Sequence, residues 1–137
     1  MVSMERIKST FSKNSDGYII GKISTVLANI LLSNTDEVVF SEASLKKNFD
    51  NHPDLMIEDY LLLPDIVGKS HFVLQDGKRT VAIVLERKIM YHYVLKCTNT
   101  GESLFLTSFR KTRDGDLKRL RNKAEKNNLK ILKDTLP

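Results

Sequence analysis

The stretch SHFVLQDGKRTVAIVLERKIMYHYVLKCTNTGESLFLTSFR, Ser70–Arg110, decides the fold. It reads as successive β-strands: His71–Leu74 with Arg79–Glu86, then Met90–Thr98, then Glu102–Arg110. Asp76-Gly77 and Asn99-Thr100-Gly101 supply the turns, because glycine accepts the positive φ of a tight hairpin. Alternation sends residues of one parity to one face of a strand. On Met90–Thr98 the odd positions Tyr91, Tyr93, Leu95 and Cys97 are an apolar set that suits a core, opposite Met90, His92, Val94, Lys96 and Thr98. On the next strand Ser103, Phe105, Thr107 and Phe109 take one side and Glu102, Leu104, Leu106, Ser108 and Arg110 the other. With Asn99–Gly101 as the loop, Thr98 faces Glu102, His92 faces Ser108 and Met90 faces Arg110. One face then gathers His92, Lys96, Ser108 and Arg110. An imidazole, two cations and a hydroxyl on one rigid surface suit phosphate chemistry. The competing reading is an ordinary solvated sheet face with its polar residues outward.

The chain has 137 residues, enough for a single domain whose core needs no staples. Apolar content of 41% and charged content of 28% are those of a globular protein. A single cysteine excludes an intramolecular disulfide, and Cys97 falls on the apolar side of its strand as a small hydrophobe. No apolar run reaches the ~18 residues of a membrane span, and the N-terminus lacks a signal-peptide core. The expected address is the cytoplasm, with no membrane partner. The net charge is +5, and its placement matters more than its size. From Arg110 onward stand Arg110, Lys111, Arg113, Lys118, Arg119, Arg121, Lys123, Lys126, Lys130 and Lys133, against Asp114, Asp116, Glu125 and Asp134. The aromatics lie mostly elsewhere, so this is not an aromatic-interleaved platform for single strands.

Working outward from the sheet, Met1–Asp16 reads as one short helix broken by Asp16-Gly17. Ile19, Ile20, Ile23, Val26, Leu27, Ile30 and Leu31 recur at helical spacing and predict a helix over Tyr18–Leu32. Glu37–Phe40 is a short strand. Ser41 caps a helix that begins near Glu42, and His52-Pro53 ends it, since the residue before proline avoids the α region. Leu55–Leu62 is a second short helix, and Pro64–Gly68 a turn into the sheet. After Arg110, Asp116 caps a basic helix to Lys126 with an apolar stripe of Leu117, Leu120 and Ala124. Leu129–Leu132 is a short strand or a fraying tail. Helices, then an antiparallel sheet, then a helix make an α+β domain.

No glycine-rich phosphate loop is present, and a lone cysteine with scattered histidines is a poor supply for zinc. Paired carboxylates and a nucleophile elbow are also missing. No metal or cofactor is expected. His52 is either a surface histidine closing a helix or a general acid or base; His71 is edge decoration. Thr107-Ser108-Phe109-Arg110 is the densest local signal: hydroxyls beside a strand-borne arginine can bind phosphate. The same residues also read as strand formers with one snorkelling cation. The basic helix, with Lys118 and Arg121, is either a solvated face or a nucleic-acid contact.

Three segments carry a family resemblance: SLKKNFDNHPDL (Ser44–Leu55), LLPDIVG (Leu62–Gly68) and YVLKCTNTGESLFLTSFRKT (Tyr93–Thr112). Over about half the chain, their order resembles the phage-borne nuclease-like domains of the BECR fold, grouped with barnase, EndoU, the tRNase colicins and RelE toxins. The resemblance implies N-terminal helices packed on a roughly four-stranded antiparallel sheet, with a C-terminal basic helix. Within the single domain, residues 1–35 would be a helical N-terminal portion, 36–112 the nuclease-like core and 113–137 the basic helix and tail. The implied activity is metal-independent cleavage of RNA or tRNA by 2′-hydroxyl transesterification, in a toxin or phage effector. Its site would lie on the open sheet face, with His52, Lys96, Ser108 and Arg110 catalytic. Lys47, His92, Thr107, Lys118 and Arg121 would bind substrate, and an inhibitor or immunity protein is a possible partner. The alternatives are a phage-associated domain of the same fold that binds nucleic acid or protein without cutting, and a structural phage module.

Overall fold

The strands read between Ser70 and Arg110 form the centre of a larger sheet. The computed structural model describes residues 2–137, with side chains from Met4 onward. In chain order the elements are α1 (Val2–Thr10), β1 (Ser12–Asn14), β2 (Gly17–Lys22), α2 (Thr25–Ile30) and β3 (Glu37–Phe40). Next come α3 (Glu42–Asn51), α4 (Ile57–Leu61), α5 (Leu63–Gly68), β4 (Phe72–Asp76) and β5 (Arg79–Glu86). β6 (Ile89–Cys97), β7 (Leu104–Lys111), α6 (Asp116–Asn127) and β8 (Lys130–Asp134) complete the chain. The strands make one eight-stranded sheet in the order β1-β2-β3-β7-β6-β5-β4-β8. It is mixed, because β3 runs parallel to β7.

The α+β class stands, and the expected architecture is corrected in three places. First, the sheet has eight strands, not about four. The first third of the helix expected over Tyr18–Leu32 is β2, with Tyr18 and Ile20 buried and Ile19 half-buried. β-branched isoleucines fit a pleated, half-buried surface, and Gly21 lets α5 pack directly against this strand. A Cβ there would stand 2.6 Å from Val67 Cγ2 and 2.9 Å from Pro64 Cα. The helix starts only after Ser24, whose hydroxyl accepts from the Leu27 amide. Second, Leu63–Gly68 is helix rather than turn, with Pro64 in its first turn, where a missing N–H costs nothing. Third, the chain ends on a strand and not on the basic helix, since β8 pairs antiparallel with β4.

The register between β6 and β7 also differs from the expectation. His92 pairs with Arg110 and Val94 with Ser108, and the register then shifts so that Leu95 pairs with Leu106. Thr107 is the extra residue of a bulge, its hydroxyl 3.3 Å from the Val94 carbonyl. The bulge reverses parity along β7, so that Leu104, Leu106 and Phe109 are all fully buried. They join Tyr91, Tyr93 and Leu95 in a core that takes in Ile7, Ala28, Leu45, Tyr60 and Ile66 from the first five helices. The Phe109 ring stacks on Tyr91 and meets Tyr60 edge-on at 5.6 Å. On the opposite face α6 covers Phe72, Leu74 and Ile83 through Ala124, Leu117 and Leu120. Among the described residues no helix is long and apolar enough to cross a membrane.

Candidate functional site

β3 accompanies β7 only as far as Phe105. Beyond that point α3 lies along the edge of β7, and one side chain takes the place of the missing strand. The buried Asn48 carboxamide accepts the Phe109 amide at 2.8 Å and donates to the Tyr60 hydroxyl at 3.1 Å. A buried N–H without a partner costs about 1–3 kcal/mol, so this contact fixes α3 firmly. The helix runs from its cap at Ser41, which accepts the Ser44 amide at 3.1 Å, to His52, whose amide donates to the Asn48 carbonyl at 3.0 Å. Pro53 prevents it from going further. His52 is thereby held beside the bulge of β7.

A cleft of about 370 Å³ opens between α3 and the sheet. Ser44, Lys47, Asn48, Asn51 and His52 line one wall; Thr107, Ser108, Val94 and Arg79 line the other. Lys96 adjoins it as the direct cross-strand partner of Arg79. The lining carries two cations, one imidazole and several hydroxyl and amide groups, and no carboxylate. Such a lining attracts anions. Burial pushes the His52 imidazole below its ordinary range; Asp54 opposes the shift, and the Arg110 and Arg113 charges reinforce it. A largely neutral imidazole at neutral pH is ready to accept a proton.

The other end of the same face is closed. α6 begins at Asp116, whose buried carboxylate accepts Arg110 Nη1 at 2.7 Å, the Arg113 amide at 2.6 Å and the Arg119 guanidinium. Burial raises the pKa of that carboxyl, but the donated hydrogen bonds outweigh it and hold Asp116 well below the usual carboxylate range. His92 is 9% exposed, and its Nδ1 has no hydrogen-bond partner. Burial, aided by the Arg110 charge, pushes its pKa down to about 4. Arg121 is bound to the Asp134 carboxylate at 2.7 and 2.9 Å and to the Leu136 carbonyl at 2.6 Å. Lys118 lies exposed on α6.

The cleft thus brings together Lys47, His52, Thr107 and Ser108, with Lys96 at its border. It does not include Arg110, His92, Lys118 or Arg121. Arg110 shares the sheet face with Ser108 but is engaged with Asp116 of α6, and His92 is buried opposite Arg110 rather than opposite Ser108. Arg79, Asn48 and Asn51 were missed. Alternation along Arg79, Val81 and Ile83, with β5 paired to β6, places Arg79 opposite Lys96 and was available in the sequence. The part played by Asn48 depends on where β3 stops, which no local pattern gives. Among the described residues no cluster of His, Cys, Asp or Glu gathers as a metal site would require. Comparison with protein-family models, with curated proteins and with solved structures gives no match to this chain.

Proposed function

We propose that the cleft binds the phosphodiester backbone of RNA and that His52 moves the proton in its cleavage. One observation carries this reading: an imidazole with a lowered pKa shares an anion-attracting cleft with Lys47 and the Thr107 and Ser108 hydroxyls. The Lys-Lys…His-Pro and Thr-Ser-Phe-Arg segments, which resemble the barnase, EndoU, colicin and RelE group, both reach this cleft and support the same chemistry. In the proposed reaction His52 takes the proton of a ribose 2′-hydroxyl, whose oxygen attacks the adjacent phosphorus. Lys47 steadies the crowded anionic phosphorus, and Ser108 orients one of its oxygens, while Lys96 at the border of the cleft is left outside the reacting group. The bond to the 5′ oxygen breaks, that oxygen takes a proton from Lys47 or water, and a 2′,3′-cyclic phosphate remains. Arg110 leaves the catalytic group and becomes an anchor of α6 that also depresses the His52 pKa.

A second reading is an RNA-binding domain of the same fold that does not cut. The withdrawal of His92 and Arg110 favours it, because a single imidazole is left in the cleft. Total RNA and labelled tRNA incubated with the protein in excess EDTA, beside His52→Ala, separate the two. Fragments ending in cyclic phosphate from the wild type alone support the nuclease. Intact RNA that is retarded in a gel identifies the binding domain, and intact RNA without retardation rejects both.

A further inference from the structure

Arg79 and Lys96 are direct partners across β5 and β6, and both are exposed. Residues so paired have Cβ atoms about 5 Å apart, and like charges in that position destabilise a sheet. Neither takes part in an ion pair among the described residues, although most carboxylates near α6 are so engaged. The one carboxylate opposite Arg79, that of Asp76 on β4, is bonded to Lys123 at 2.8 Å, so the pair of cations stands without an ion-pair partner, at the mouth of a cleft whose lining has no carboxylate. An anion shared between the two side chains removes the repulsion and gains bidentate contact from the guanidinium.

We infer that Arg79 and Lys96 form a second phosphate subsite, next to the one at Lys47, His52 and Ser108. The substrate is then a single strand that places consecutive phosphates on the two subsites, and not a mononucleotide. This rests on the phosphodiester reading of the cleft, but not on cleavage. A cavity of about 370 Å³ has the size of a small-ligand pocket, so it admits one nucleotide of an extended strand rather than a duplex. No Phe, Tyr or Trp side chain lines it, so recognition is mainly of the backbone and tolerant of base sequence.

The test is binding of a short labelled oligodeoxyribonucleotide, which lacks the 2′-hydroxyl and survives intact. Affinity is measured by fluorescence anisotropy over a range of salt for the full chain, Arg79→Gln, Lys96→Gln and Lys126→Gln. Lys126 is an exposed cation on α6, so its variant controls for net charge. The expected result is a loss of about tenfold for Arg79→Gln and for Lys96→Gln. The slope of log affinity against log salt should also fall by about 0.7 for each phosphate contact removed. Lys126→Gln should change little, and thermal unfolding of Lys96→Gln should be unchanged or raised, since a repulsion has gone. Arg79→Gln also loses a charge opposite Asp76, so its unfolding midpoint should stay close to that of the parent. Equal losses for all three variants, or no loss at Arg79 and Lys96, overturns the subsite. Tight binding without RNA cleavage defeats the nuclease reading and leaves the subsite standing; cleavage that is indifferent to both variants does the reverse.

Discussion

The two ends of one sheet face carry similar residue types and have opposite fates. Near α6, an imidazole is buried, and a half-buried arginine is matched to a buried carboxylate at 2.7 Å. Near α3, an imidazole, a lysine and an arginine border a cleft without any carboxylate. The difference lies in the covering helix. α6 brings Asp116 to the face and closes it, whereas α3 lies along the strand edge, held by Asn48, and leaves the face open. A cation satisfied by a buried carboxylate contributes to stability, and one left without a partner is available to a ligand.

Mutations at the two ends should therefore separate activity from stability. The largest effect is expected at the open end: His52→Ala should lower cleavage of RNA by about 10²–10⁴-fold, the range for loss of a general base. Its urea midpoint should shift little, because a partly exposed helix-end residue contributes within about 0.5 kcal/mol. A coincident loss of fold would make His52 structural. The activity profile sharpens the same point. Because the His52 pKa is lowered, the acid limb of kcat/KM should lie below the ordinary histidine value of about 6.5.

At the closed end the sign reverses. Arg110→Ala leaves the Asp116 carboxylate buried with one donor fewer and should cost about 3 kcal/mol in denaturant unfolding. Cleavage measured at a temperature where the variant is still folded should persist. A variant of full stability without activity would restore Arg110 to the site. His92 supplies the next effect. Its folded pKa of about 4 lies below the unfolded value of about 6.5. The unfolded chain thus binds the extra proton first, and stability contributed by the neutral ring is complete above about pH 6.5. As pH falls to about 4, on the order of 3 kcal/mol is lost. Asp116 adds a further decline under more acid conditions, since its depressed pKa stabilises the fold only above the unfolded carboxylate value of about 4. His92→Leu should flatten the profile between about pH 4 and 6.5 in thermal scans without destabilising the protein at neutral pH, because the buried Nδ1 has no partner to lose. The smallest effect is expected at Lys118→Ala, where an exposed cation outside the cleft should alter neither unfolding nor RNA binding by more than about twofold.

Short-range signals explain which parts of this fold were legible. Ser41, His52-Pro53 and Asp76-Gly77 act through neighbouring residues, and the elements they delimit lie where the sequence puts them. The isoleucines after Tyr18 satisfy helical spacing and strand propensity together, and the decision between them came from Gly21 packing under α5, a contact across more than forty residues. The site was legible by face and not by depth. Alternation grouped His92, Ser108 and Arg110 correctly on one surface. It carried no information on the bulge at Thr107, which displaced the register, or on α6, which covers part of that surface. Arg79 reaches the same surface only through the register of β5 on β6, which sets it opposite Lys96 and which strand propensity alone does not fix.

The most direct test of this account is to map an uncleavable oligodeoxyribonucleotide on the protein by amide chemical shifts. The predicted result is a set of perturbations centred on Lys47, His52, Arg79, Lys96, Thr107 and Ser108, with the α6 amides unmoved. Perturbations centred on Arg110, Lys118 and Arg121 would place the nucleic acid on the closed end and contradict it.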